Sequence, residues 1–211
     1  MQLLLIRHAQ PFHVRNSGPA DPGLTASGLE QAGRLAVAVA KGSYGDIDRI
    51  VTSPMRRARE TAERLCAATS ITPTMDERIA ELDRGWSSYG VDLDTYGDRQ
   101  LLLDDMNAGR VGPNTFDLKE FRGRVLDATA DIVAKGGDTV AVVCHGGVIN
   151  VVLAELLGIE RPFFTEPYYT SVTRVSVDTT GHRRIETLNE THHLGGVRST
   201  RSTRWQEVQW R

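Results

Sequence analysis

Two cysteines in 211 residues leave no material for a disulfide framework. Cys66 falls on a helix face and Cys144 in an apolar strand, and neither has metal-ligand spacing around it. Both read as free, buried thiols of a reducing compartment, which points to a cytoplasmic protein. Charge of one sign is also lacking: 25 basic against 27 acidic residues give a net charge of −2. Nothing draws the chain globally toward nucleic acid or a membrane surface. No apolar run approaches the roughly 20 residues that span a bilayer. The opening Met-Gln-Leu-Leu-Leu-Ile is too short for a signal-peptide core and meets Arg7 at once. Internal repeats and low-complexity tracts are missing as well. The length suits one domain with a sizeable core and one inserted segment.

What is present is an alternation of strand and helix. From Thr25 to Lys41, Leu29, Ala32, Leu35, Ala36 and Val39 recur at helical spacing, with Thr25 placed to cap. Ile47 to Thr52 reads as a strand. Ser53-Pro54 then reads as cap and first-turn proline of a helix whose inner stripe is Met55, Ala58, Ala62, Leu65 and Cys66. Leu118, Phe121, Val125, Ala128 and Ile132 mark another helix leading into a strand at Thr139. The helix after His145 is apolar almost all round (Val148, Ile149, Val151, Val152, Leu153, Leu156), as a buried helix would be. Val172 to Val177 and Arg184 to Leu188, parted by Thr179-Thr180-Gly181, read as a terminal hairpin. The expected fold is α/β: a three-layer helix–sheet–helix sandwich, with a mostly parallel sheet and an antiparallel C-terminal strand or hairpin.

Two strand ends stand out. Leu3-Leu4-Leu5-Ile6 runs into Arg7-His8, and Val140-Ala141-Val142-Val143-Cys144 runs into His145-Gly146-Gly147. Each reads as a buried parallel strand delivering a histidine to its C-terminal end, where ligands bind in open α/β sheets. An arginine beside one histidine and a Gly-Gly helix start beside the other suit an anionic group that imidazole can attack. Periodicity weakens between Glu81 and Phe116. Residues 84–116 read as an excursion, with a short helix around Asp98 to Asn107. It is either a substrate lid or a plain surface connection. The domain is expected to cover residues 1–195, followed by a loosely packed basic and aromatic tail at 196–211.

These residues resemble the histidine phosphatase superfamily, which includes the cofactor-dependent phosphoglycerate mutases. Arg7-His8-Ala9 is similar to its Arg-His-Gly signature. Asp21-Pro22-Gly23-Leu24-Thr25 resembles the entry to its first helix, and Ser53-Pro54-Met55-Arg56-Arg57-Ala58 its second motif. Glu81-Leu82-Asp83-Arg84-Gly85-Trp86 resembles its acidic loop, His145-Gly146-Gly147 its second histidine, and Leu188-Asn189 with His193-Leu194 its closing element. The resemblance implies a phosphoglycerate mutase-like fold and a phosphoric monoester hydrolase of the histidine acid phosphatase type. It implies His8 as the phosphorylated nucleophile, with Arg7 and Arg57 clamping the phosphoryl oxygens and His145 donating a hydrogen bond. The N–H groups of Gly146 and Gly147 would add a helix terminus, and Glu81 would be the general acid and then base. Gln10, His13, Arg84 and Gly146 are the expected substrate contacts. No metal and no cofactor are expected. The expected partner is a small-molecule phosphate ester, with a homodimer left open.

Duller readings compete with several of these. Arg56 and Arg59 flank Arg57 on a helix and would lie on a solvated face. Asp83 and Glu77 rival Glu81. His182 sits in a hairpin turn with no role. His192-His193, read as extended, would point opposite ways and hold no metal. Arg84 would either attract a second anionic group of the substrate or pair with Asp83. Where relatives carry a small hydroxyl residue and an asparagine after the signature, this chain has Pro11 and Val14. Missing donors there favour hydrolysis over a mutase that must hold a bisphosphate. The remaining alternatives are a phosphoglycerate mutase-type phosphotransferase and a weakly catalytic member that binds a phosphorylated ligand.

Overall fold

Leu3 to Ile6 are apolar on both sides of the strand they form and are almost wholly buried, the pattern of a parallel strand covered on both faces. The computed structural model describes residues 1–15, 18–89, 96 and 98–197. Its elements in chain order are β1 (Gln2–Arg7), β2 (Val14–Arg15), α1 (Ala26–Ala40), β3 (Arg49–Thr52), α2 (Arg56–Thr69), β4 (Thr74–Met75), β5 (Ser88–Tyr89), α3 (Arg99–Asn107), β6 (Arg110–Val111), β7 (Asn114–Thr115), α4 (Leu118–Ala134), β8 (Thr139–Cys144), α5 (Gly146–Leu157), β9 (Val172–Val177) and β10 (Arg183–Glu190). The main sheet has the order β10-β9-β1-β8-β3-β4. β1, β8, β3 and β4 run parallel, while β9 and β10 add an antiparallel hairpin. No helix among the described residues is long and apolar enough to cross a membrane.

The sheet divides the core by alternation, as a period of two requires. Leu3, Leu5, Val140, Val142 and Cys144 face α4 and α5, where Phe121, Val125, Ile132, Val148 and Val152 meet them. Leu4, Ile6, Ala141 and Val143 face α1 and α2, where Leu35, Ala58, Ala62 and Leu65 lie. This is the expected three-layer sandwich. Residues Gly147 to Ala154 of α5 are all buried, matching its apolar sequence. Cys144 is buried, whereas Cys66 is only half-buried, and both are free.

Thr25 caps α1 as expected, its side chain accepting from the Gly28 N–H at 3.0 Å. The start of α2 differs from expectation. The helix begins at Arg56, and neither Ser53 nor Pro54 caps it. Its first N–H is taken instead by Asp21 Oδ1 at 2.9 Å, a carboxylate 35 residues earlier in the chain. A carboxylate on an unpaired helix N–H also complements the helix dipole. His192 and His193 lie in a 3-10 turn rather than an extended segment. His193 Nδ1 is 2.8 Å from the Tyr44 hydroxyl, so it serves packing.

The excursion after Glu81 folds over its own small cluster of Tyr96, Leu102 and Val111, backed by Leu82, Trp86, Met106 and Phe116. Asp98 caps α3 through the Gln100 N–H. The segment is tied to the chain before β9 by Asn107, which both donates to and accepts from the Phe163 backbone, at 2.8 and 3.0 Å. The expected tail lies, from residue 198 onward, outside the described residues.

Gly28 marks the closest approach of α1 to the loop after His8. A Cβ there would sit 2.1 Å from the Gln10 carbonyl oxygen, a backbone atom that cannot yield cheaply. Gly28→Ala should therefore destabilise the protein by about 2 kcal/mol or more through overpacking. A urea denaturation midpoint unchanged from wild type would contradict this close contact.

Candidate active site

β1 and β8 pair in parallel with Arg7 opposite Cys144. The next residue on each strand is a histidine, and the His8 N–H continues the ladder to the Cys144 carbonyl at 2.9 Å. The two rings are thus neighbours, with centroids 5.1 Å apart. His8 is 2% exposed and His145 is fully buried.

The protonation of His8 follows from its contacts. Its Nδ1 lies 2.8 Å from the Ala9 carbonyl oxygen, which only accepts, so Nδ1 carries the proton. That leaves a lone pair on Nε2. Burial first, then the positive charges of Arg57 and Arg7, hold the His8 pKa well below its ordinary value. His8 is thereby a neutral imidazole with an unprotonated Nε2, the form a nucleophile needs. The Ala9 N–H is held by Thr61 Oγ1 at 2.9 Å. Ala9 is not among the residues with left-handed backbone, so alanine serves here in place of glycine.

Arg57 is fully buried and donates to Asp83 Oδ1 at 2.7 Å. Burial works against its charge, and Asp83, together with Tyr89 and Glu81, more than offsets that. Its Nε and Nη1, and Nδ1 of His145, are buried with no hydrogen-bond partner among the described residues. Buried donors are costly to leave unmatched. An anionic acceptor would satisfy the two guanidinium donors, and His145 Nδ1 too when that nitrogen carries the ring proton. Arg7 donates to the Pro167 carbonyl at 2.6 Å. Its guanidinium lies 4.1 Å from the Tyr169 ring centroid, and that of Arg57 lies 4.4 Å from Tyr89, both within cation–π range.

Glu81 reaches the same end of the sheet. Its carboxylate accepts from the Gly147 N–H at 2.8 Å and the Leu82 N–H at 3.0 Å. A Cβ on residue 147 would stand 2.3 Å from Glu81 Oε1, so a side chain there would displace the carboxyl. Burial first, then repulsion from Asp83, raises the Glu81 pKa despite those two bonds. A carboxyl that keeps its proton nearer neutrality can act as an acid.

The geometry therefore brings together His8, His145, Arg7, Arg57 and Glu81. Other expectations change. The Gly147 N–H holds Glu81 and is not available to a ligand. Arg84 pairs with Glu77 at 2.5 Å on the exposed surface, not with Asp83. Asp83 belongs to Arg57, and Glu77 to Arg84, so neither replaces Glu81. Gln10 is half-buried beside the pocket, with its N–H bonded to Gln31. His13 is exposed at the rim, its ring 6.0 Å from Tyr89. Gly146 opens α5 next to Arg7 Nε. Three residues were missed: Asp83 as the partner of Arg57, and Tyr89 and Tyr169 as the rings over the guanidiniums. Tyr89 arrives through the pairing of Val14 with it in the β2–β5 ribbon. No periodic signal marks such short strands.

The sequence profile described as the histidine phosphatase superfamily (branch 1) matches residues 3–191, and the chain belongs to that family. It is 29% identical over 168 residues to a putative phosphoserine phosphatase 2 of Hydrogenobacter thermophilus, covering 75% of this chain and 79% of the relative. It is 30% identical to a probable phosphoglycerate mutase of Salmonella arizonae, covering 75% and 76%. Among solved structures it is similar to mycobacterial glucosyl-3-phosphoglycerate phosphatase, at 25% identity and a TM-score of 0.69, covering 89% of this chain and 98% of that one.

Removing the Asp83 charge tests the site's internal balance. Asp83→Asn leaves Arg57 buried without its counter-charge and should destabilise the fold by about 3 kcal/mol. Urea denaturation measures this, and a loss under about 1 kcal/mol would mean that the pair is solvated.

Proposed function

We propose that this chain is a metal-independent phosphatase that hydrolyses phosphomonoesters through a phosphohistidine on His8. The observation that carries the reading is the pairing of a neutral His8, its Nε2 lone pair free, with unmatched buried donors of Arg57 and His145 in one recess. Phosphate esters resist nucleophiles because their oxygens are negative. Charge neutralisation and positioning supply most of the catalysis.

In the first step His8 Nε2 attacks phosphorus and the P–O bond to the leaving group breaks. Arg7, Arg57 and the Nδ1–H of His145 take the phosphoryl oxygens. Glu81 gives its proton to the departing alkoxide, so no free alkoxide forms. In the second step the Glu81 carboxylate takes a proton from water as that water attacks phosphorus. The P–N bond breaks, and inorganic phosphate leaves with His8 restored. The related mycobacterial phosphatase has been solved with inorganic phosphate and with VO3, ligands this recess would accept.

Hydrolysis is favoured over transfer by the rim. Pro11 and Val14 stand where donors for a second phosphate would be, and Arg84 is engaged by Glu77. The kinship with a probable phosphoglycerate mutase keeps a second reading, phosphate transfer between positions of a glycerate. Assays with p-nitrophenyl phosphate and 3-phosphoglycerate, with and without a bisphosphate primer, separate the two. Free phosphate without primer, unaffected by a chelator and blocked by vanadate, supports the proposal. A requirement for primer with phosphate retained on the product supports the mutase, and loss on chelation refutes the metal-free route. His8→Ala should lower turnover by at least about 10⁴-fold.

The pH dependence follows from two opposite shifts. His8, with its pKa lowered, stays neutral through the mildly acidic range, so the nucleophile is lost only well below pH 6.5. Glu81, with its pKa raised, is protonated further toward neutrality, and activity falls as pH rises through that value. Initial rates on an alkyl phosphate should therefore peak on the acid side of neutrality. Glu81→Gln should flatten the alkaline limb and slow alkyl esters more than aryl esters. Equal slowing of both would remove Glu81 from the acid role.

A further inference from the structure

Imidazole has two nitrogens and one mobile proton, and which nitrogen holds it is set by the partner of the other. For His8 the Ala9 carbonyl settles the matter. His145 needs the reverse arrangement, a proton on Nδ1, if that atom is to meet a phosphoryl oxygen. We infer that Ser53 is a positioning residue, its hydroxyl donating to Nε2 of His145 and thereby fixing that ring's proton on Nδ1.

Ser53 occupies the position just beyond β3, and its N–H continues the ladder to the Val143 carbonyl at 3.0 Å. On the adjacent strand β3, Ser53 therefore stands level with Cys144, one residue before His145, while His8 and His145 share the next level. The Ser53 Oγ lies 2.7 Å from His145 Nε2, and Ser53 is fully buried. The same oxygen accepts from the Met55 N–H at 3.3 Å. A serine hydroxyl has one proton to give, and His145 Nε2 is the acceptor at hand among the described residues. The opposite tautomer, with Nε2–H donating to Oγ, strands the hydroxyl proton inside the core. That penalty biases the equilibrium by about ten- to a hundredfold. The remaining ring atom, Nδ1, is buried with no protein partner among the described residues. It is the donor that the phosphoryl site needs.

The catalytic consequence rests on the phosphatase reading, but the tautomer does not, and it can be measured in the free protein. Nitrogen NMR of ¹⁵N-histidine-labelled protein distinguishes protonated from unprotonated ring nitrogens. The His145 signals are identified by their loss in His145→Asn. The expected result is a protonated Nδ1 and an unprotonated Nε2 in wild type, and a mixture in Ser53→Ala. Turnover of p-nitrophenyl phosphate should fall about 10- to 100-fold in Ser53→Ala, with Ser53→Thr restoring most of it. A protonated Nε2 in wild type overturns the inference, and so does a pure Nδ1–H form in Ser53→Ala. The wild-type spectrum decides even if the alanine variant fails to fold. Wild type with the expected tautomer but no phosphatase activity would sustain Ser53's role and refute the phosphatase reading.

Discussion

β1 lies parallel to β8 with Gln2 opposite Thr139 and Arg7 opposite Cys144, and this register underlies everything else in the molecule. It places two residues 137 positions apart at one level of the sheet, with rings 5.1 Å apart. Because both faces of these strands are buried, a one-residue slip would not simply expose apolar groups, as it would in a half-exposed sheet. Hydrogen bonds at the strand ends help to hold the register. At the ends, the Thr139 N–H is held by Asp48 at 2.7 Å, and the Gln2 N–H by the Asp138 carbonyl at 2.6 Å.

Burial acts on the titratable groups at this edge in opposite directions. It disfavours charge, so it lowers the pKa of His8 and of His145 and raises that of Glu81. The guanidiniums push the histidines the same way, and Asp83 pushes Glu81 the same way. A histidine shifted toward its neutral form and a carboxyl shifted toward its protonated form thus lie at one sheet edge. Separated titrations of this kind are what acid–base assignments in a site rest on. The arrangement depends on Arg57 keeping its charge in the interior, which the Asp83 carboxylate helps to secure.

Much of this was legible in the sequence because it lay on regular elements. A doubly buried strand reads as an unbroken apolar run, so β1 and β8 and the histidines after them could be placed at a sheet edge. The spacing from Ser53 to Arg57, read through the family resemblance, separated Arg57 from its basic neighbours. What failed were inferences from local signals that tertiary contacts override. Ser-Pro before a helix is a strong cap signature, yet the Ser53 hydroxyl is taken by His145 and the cap comes from distant Asp21. Gly-Gly after His145 reads as an open helix terminus, yet Glu81 fills it. Tyr89 and Tyr169 were missed because they stand on a two-residue strand and an irregular segment, where no period exists to read.

The most direct test is whether phosphate becomes bonded to His8. Wild-type protein mixed with a phosphate monoester, quenched in alkali within milliseconds and digested, should yield a peptide carrying one acid-labile phosphoryl group on His8. That label should vanish on longer incubation as water cleaves it. Steady turnover with no label on His8, or with the label on another residue, would contradict the account.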